Sequence, residues 1–289
     1  MTRRKTALVT GSNRGFGRAI ALRLARDGYD LVIHCRRDTV RAEAVGEEVR
    51  ALGARALVLA ADLEEPAAID ELFSRIGHEY GTLDALVANA AATAFLPTLA
   101  MKPHHIDRTF GLNVRGFILS VQRAVDLMPD EGGGRIVAVS GYGSMRYLPG
   151  YGAMGSAKAA VERWVSYLAV ELAARGIVVN GVNPGCAETA SAEVYFSRAG
   201  SESQSEVARR TPMGRLCKPD DVAGVVAFLL SEDAGFICGQ TIVVDGGLTL
   251  VVPPFADAGT LEDAAFGRRR DRAHADADVA AVTAAAKGS

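Results

Sequence analysis

The chain of 289 residues predicts an α/β fold: one doubly wound parallel sheet followed by a tail. Three observations carry this. Short β-branched runs alternate with stretches of helical period, which is the pattern of strand-helix-strand units. The strands are almost continuously apolar, as strands are when helices cover both faces of a sheet. The first of them runs into a glycine-rich turn, "TGSNRGFG", that opens a helix and offers its free amides to an anion at the strand end.

The elements follow in order. "TALVT" (6–10) comes after a basic start resembling a secretion signal, but its apolar stretch is short and meets the glycine turn at once, so it reads as a strand. In the turn Gly11 permits the tight bend, Gly15 lets backbone approach a pyrophosphate, and Gly17 lets the helix pack closely. "DLVIHC" (30–35) and "ARALVLAADL" (54–63) are the second and third strands. "PAAIDELFSRIGHEYG" has Pro66 in a first helical turn and Ile69, Leu72, Phe73 and Ile76 on one stripe. "LDALVANAA" (83–91) and "GRIVAVS" (134–140) come next. The helix containing Lys158 repeats the spacing through Ala157, Val161, Trp164, Val165, Leu168 and Leu172, a face for the sheet or a neighbouring subunit. "IVVNGVNPG" (177–185) is the sixth strand, residues 186–212 form a polar, Ser-rich insertion read as a substrate lid, "PMGRLCKPDDVAGVVAFLL" restores a helix, and "QTIVVDGG" (240–247) is the last strand. Residues 1–252 are thus assigned to one dinucleotide-binding and catalytic domain, and 253–289, rich in Pro, Ala, Asp and Arg, to a disordered tail.

A hydrophobic content of 49% provides for a substantial core, and a net charge of −2 lacks the basic excess of a nucleic-acid binder. No apolar run approaches the roughly 18 residues that span a membrane, so a soluble, cytoplasmic protein is expected. Cys35, Cys186, Cys217 and Cys238 form no C-x-x-C pair and read as reduced thiols, with no metal site expected. Adjacent His104 and His105 would point about 100° apart on a helix, which suits surface or capping roles.

A dinucleotide without a 2′-phosphate is recognised by an acid at the end of the second strand. Here that region reads "LVIHCRRD". His34 offers no carboxylate, whereas Arg36, Arg37 and Arg14 can surround a 2′-phosphate with charge-assisted donors, which favours NADP(H) over a reading in which Asp38 binds the ribose.

With "TGSNRGFG", "ADL" at 61–63, "ANAA" at 88–91, "LNV" at 112–114, "VNPG" at 182–185 and "IVVDGG" at 242–247, the chain resembles the short-chain dehydrogenase/reductases from residue 5 to about 251. The resemblance implies a single Rossmann-type domain, a homotetramer, and hydride chemistry on NADPH/NADP+. It implies a cofactor held by Gly11, Ser12, Asn13, Arg14, Gly15, Phe16, Gly17, Arg36, Arg37, Asp62, Leu63, Asn89, Ala90, Lys158, Pro184, Gly185 and Thr189. Asp62 would touch adenine, Asn89 support the crevice, Thr189 meet the nicotinamide amide, and Asn113 kink its helix to hold a water near Lys158.

The departures fall at the active site. Ordinary members place tyrosine four residues before the lysine and serine seventeen before it, but here Met154 and Gly141 stand there. "SMRYLPGYGAMGSAKAAVE" instead resembles the enoyl-acyl-carrier-protein reductases of the NADPH-using, bacilli-like branch, whose signature Tyr-x6-Lys would be Tyr151 and Lys158. Seven helical residues turn about 700° and return to nearly the same face, at the cost of about 10.5 Å of rise, so Tyr151 must sit at or before the helix start. A displaced tyrosine suits the thioester oxygen of an enoyl substrate carried on coenzyme A or acyl carrier protein. Lys158 would orient the ribose and, as a cation, lower the phenol's pKa from about 10. Ser140, Tyr142 or Ser144 would supply the hydroxyl missing at 141. Two other readings stand beside this one: a ketoreductase of 3-oxoacyl or polyketide-like carbonyls, and a catalytically silent NADP(H)-binding sensor or scaffold.

Overall fold

The computed structural model describes residues 3–130, 133–199 and 204–251. The tail assigned to 253–289 lies outside them. In chain order the elements are β1 (Thr6–Val9), α1 (Gly15–Arg26), β2 (Asp30–Cys35), α2 (Thr39–Ala51), β3 (Ala56–Ala60), α3 (Pro66–Tyr80), β4 (Ala85–Ala88), α4 (Pro103–Phe110), α5 (Gly116–Leu127), β5 (Arg135–Val139), α6 (Gly152–Leu172), β6 (Val178–Pro184), α7 (Ala190–Ala199), α8 (Gln204–Arg210), α9 (Pro219–Leu230) and β7 (Thr241–Val244).

Among the described residues seven strands form one sheet in the order β3-β2-β1-β4-β5-β6-β7, every pair parallel. Alternation along a strand sends successive side chains to opposite faces. Ala7 and Val9 join the core under α1, α2 and α9, while Leu8 joins the core under α3, α5 and α6. The doubly wound expectation holds for this reason. Ile69, Leu72, Phe73 and Ile76 of α3 are buried as their spacing requires, each worth roughly 1.5–3 kcal/mol. On α6 the stripe is narrower than expected, because Trp164 remains partly exposed.

Strand order reverses between β1 and β4, which opens a crevice at the carboxyl ends of the strands. Between α4 and α5 the helix widens into one π-turn, Gly111–Arg115, which carries Asn113. His105 Nδ1 accepts the Lys102 amide at the start of α4, a capping role. The described residues of the insertion at 186–212 include two helices, α7 and α8.

Candidate active site

The crevice has a volume of about 710 Å³ and its walls come from the loops after β1, β2, β3, β4, β5 and β6. At its floor the glycine turn behaves as its spacing requires. Gly11 has φ +63°, and a Cβ at Gly17 would lie 2.4 Å from the Gly11 carbonyl, so neither position tolerates a side chain. Asn89 ties this turn to β4 by donating Nδ2 to the carbonyls of Thr10 and Gly11 at 2.9 and 3.1 Å. Arg14 caps α1 without a side-chain hydrogen bond, so the first amides of the helix stay available to an anion. This cradle fits a dinucleotide pyrophosphate.

Of the expected cofactor residues, Gly11, Asn13, Arg14, Gly15, Phe16, Arg36, Arg37, Asp62, Leu63, Asn89, Ala90, Lys158, Pro184, Gly185 and Thr189 line the crevice. Ser12 and Gly17 do not face it. Ser12 is fully buried, with Oγ accepting the His34 amide at 2.9 Å. His34 is also committed: Nδ1 accepts the Gly11 amide at 3.0 Å, so Nε2 carries the proton and donates to the Ala61 carbonyl at 3.1 Å. Burial lowers its pKa to about 4, outweighing that hydrogen bond and the charge of Asp62. It is a neutral bracket between β1 and β3.

The arginine trio divides. Arg36 is turned to Asp62 at 2.7 Å and Glu64 at 3.5 Å, so two groups expected on the cofactor pair with each other. Asp38 caps α2 by accepting the Arg41 amide. Arg14, Arg37 and Arg41 are exposed cations that line the crevice, and Arg41 pairs with Asp38 at 3.6 Å.

At the other end Tyr151 is the residue immediately before α6, where the arithmetic of its spacing requires it. Its ring stacks on Phe95 at 5.6 Å and meets Tyr195 edge-on at 5.5 Å. Gly143 makes this seat possible: a Cβ there would lie 2.4 Å from Tyr151 Cδ1. Met154 is buried and lines the same crevice. Lys158 is buried, and Nζ donates to the Val139 carbonyl at 2.7 Å, which leaves it two further protons to give.

One electrostatic expectation is corrected. Burial first, then the neighbouring Cys186 and Tyr195, push the Tyr151 phenol up to about 12, and Lys158 does not lower it. Lys158 is itself pushed down to about 8 by burial, with Glu162 opposing that shift in part.

Ser140 also departs from expectation. Its hydroxyl donates to Glu162 Oε1 at 2.5 Å, and Ser144 Oγ and Asn183 Nδ2 donate to the same oxygen at 2.7 Å each. Each hydroxyl has one proton, so neither serine retains one for a substrate. Glu162 was invisible to sequence reasoning because its partners come from β5, the following loop and β6. Asn113 lies behind the crevice: Nδ2 donates to the carbonyls of Ala92 and Thr109 at 3.0 and 2.8 Å. With Ser120 and Lys158 it lines a separate cavity of about 20 Å³, where Asn113 Oδ1 and Ser120 Oγ have no partner among the described residues.

A family model described as Enoyl-(Acyl carrier protein) reductase matches residues 11–249. The chain belongs to the short-chain dehydrogenase/reductase family. Within it, the 1-cyclohexenylcarbonyl-CoA reductase of Streptomyces collinus is 44% identical over 258 residues, covering 89% of this chain and 91% of that protein. The 3-oxoacyl-(acyl-carrier-protein) reductase of Staphylococcus aureus strain Mu50 is 33% identical over 244 residues, covering 84% and 98%. Among solved structures, acetoin dehydrogenase YohF of Salmonella typhimurium matches with a TM-score of 0.79 at 30% identity, covering 88% of this chain and all of its own. This short-chain dehydrogenase/reductase is an oxidoreductase, and reductases of the family use nicotinamide cofactors.

Proposed function

We propose that this short-chain dehydrogenase/reductase is an NADPH-dependent reductase of enoyl thioesters that delivers hydride to the β-carbon, with Tyr151 as acid and Lys158 orienting the ribose. The observation that carries this reading is the placement of Tyr151 and Lys158 seven residues apart on one crevice, where Met154 has no proton to give and Gly141 no hydroxyl.

The amides of α1 would take the pyrophosphate, Arg14 and Arg37 the 2′-phosphate, Asp62 and Leu63 the adenine end, and Asn89, Ala90, Lys158, Pro184, Gly185 and Thr189 the nicotinamide end. Bound there, the reduced dinucleotide supplies a hydride. As hydride reaches the β-carbon, the π-electron pair shifts toward the carbonyl and negative charge gathers on the thioester oxygen. Tyr151, held up at about 12, keeps its proton at neutral pH and donates it to that oxygen, and the enol then tautomerises to the saturated thioester. The cavity between Asn113, Ser120 and Lys158 has room for one water beside the lysine.

Phe95, Tyr151 and Tyr195 form a three-ring wall that suits a compact apolar acyl group, in keeping with the cyclohexenyl substrate named for the Streptomyces relative. Coenzyme A and acyl carrier protein both remain carriers consistent with the relatives' names. The ketoreductase reading is favoured by the 3-oxoacyl reductases at 33% identity, and the absence of a hydroxyl at Gly141 speaks against it. A silent sensor has Lys158 and the formed crevice against it. The helices of 186–212 act as a lid, and apolar side chains exposed on α6 (Tyr167 and Val170) and near β7 (Phe236 and Val243) provide two faces for a homotetramer. Cytoplasmic placement rests on four free cysteines, and among the described residues no helix is long and apolar enough to cross a membrane.

Steady-state kinetics with NADPH and a trans-2-enoyl-CoA test the assignment of the acid. Tyr151→Phe is expected to lower kcat by roughly 10²–10⁴-fold with NADPH affinity retained, while Met154→Tyr brings no gain. Near-full activity in Tyr151→Phe, or activity that appears only in Met154→Tyr, contradicts the assignment.

A further inference from the structure

A developing oxyanion is held best by more than one fixed donor, and the site as read so far offers only Tyr151. Gly141 has no side chain, and Ser140 and Ser144 have given their protons to Glu162. Tyr142 also lines the crevice, but its hydroxyl is not among the buried groups that lack a partner. Tyr195 remains. It stands on α7, it is 7% exposed, and its hydroxyl is buried without a hydrogen-bond partner among the described residues. A buried phenol that lacks an acceptor requires an explanation. Its ring is fixed edge-on against Phe95 at 5.3 Å and Tyr151 at 5.5 Å, and the two phenols are close enough that ionisation of one opposes ionisation of the other.

We propose that Tyr195 is the second hydrogen-bond donor of the site, its phenol binding the same substrate oxygen that Tyr151 protonates. α7 then contributes to the chemistry, because it holds Tyr195 against Phe95 and Tyr151 at the crevice. Substrate supplies the acceptor that the Tyr195 hydroxyl lacks. The inference rests on the reductase reading but applies to whichever carbonyl oxygen receives the proton.

The test compares Tyr195→Phe, Tyr195→Leu and Tyr142→Phe in the full chain with NADPH, using a trans-2-enoyl-CoA and a 3-oxoacyl-CoA, with NADPH affinity measured separately by fluorescence titration. Removing an oxyanion donor costs roughly 10²–10³-fold in kcat, so Tyr195→Phe is expected to lose about 10²-fold in kcat, with KM and NADPH affinity changed by less than about threefold. Wild-type kcat in Tyr195→Phe with damage only in Tyr195→Leu assigns the residue to packing and overturns the proposal. Loss in Tyr142→Phe instead also overturns it. Turnover of the 3-oxoacyl thioester alone contradicts the enoyl reading while Tyr195→Phe still decides the role of the phenol. Turnover of neither thioester overturns both.

Discussion

At the scale of single residues the site is governed by desolvation. Lys158 is pushed down to about 8 by burial, so it is a cation below that pH and neutral above it. On the proposed reading, ribose binding through the cation would be present at neutral pH and lost as pH rises through about 8, while Tyr151, at about 12, stays protonated throughout. A kcat/KM profile between about pH 6 and 10 is expected to be level and then to fall above about 8, and a level profile to pH 10 contradicts the role given to Lys158. Glu162 makes a separate prediction. Glu162→Ala leaves the Ser140 and Ser144 hydroxyls without their acceptor and removes one of two acceptors of Asn183 Nδ2, at a cost of roughly 1–3 kcal/mol, visible as a melting temperature lowered by several degrees. An unchanged melting temperature counts against the network. Tyr151 and Lys158 were legible in the sequence through the resemblance to Tyr-x6-Lys reductases, and a spacing close to two helical turns is compatible with both lining one crevice. The partner of Arg36 was not, because Asp62 lies a strand and a helix away in the chain and meets it only once β2 and β3 pair.

At the scale of elements, strands were read to within a few residues wherever an apolar run ended in a polar turn, as β2 does at Cys35. Residues 186–212 resisted this. The apolar run of α7 is three consecutive residues, Val194-Tyr195-Phe196, which point in different directions, so that only Tyr195 of them is buried and no periodic stripe announced it. On the proposed reading the turns after β1 and β2 carry cofactor choice. Since Arg36 is held by Asp62 and Glu64, the preference falls to Arg14 and Arg37, whose charge-assisted bonds are worth roughly 1.5–3 kcal/mol each. NADPH is expected to bind at least about tenfold tighter than NADH, and Arg14→Ala with Arg37→Ala to remove most of that difference. Calorimetry that finds NADH equal or tighter refutes it.

At the scale of the whole molecule, the doubly wound sheet places three things at one crevice: an anion cradle at β1, a lysine on α6 and a phenol at the helix start. The fold alone does not choose between reducing a double bond and reducing a ketone, since relatives named for each reaction share it. The choice rests on Tyr151 lining the crevice while Met154 holds the position at which ordinary members carry the acid. The most direct measurement is the product mass after the purified full chain is given NADPH with a trans-2-enoyl-CoA and, separately, with a 3-oxoacyl-CoA. The account predicts that the enoyl thioester gains two hydrogens while the 3-oxoacyl thioester is left largely unchanged. An intact enoyl thioester beside a reduced 3-hydroxyacyl product would contradict it.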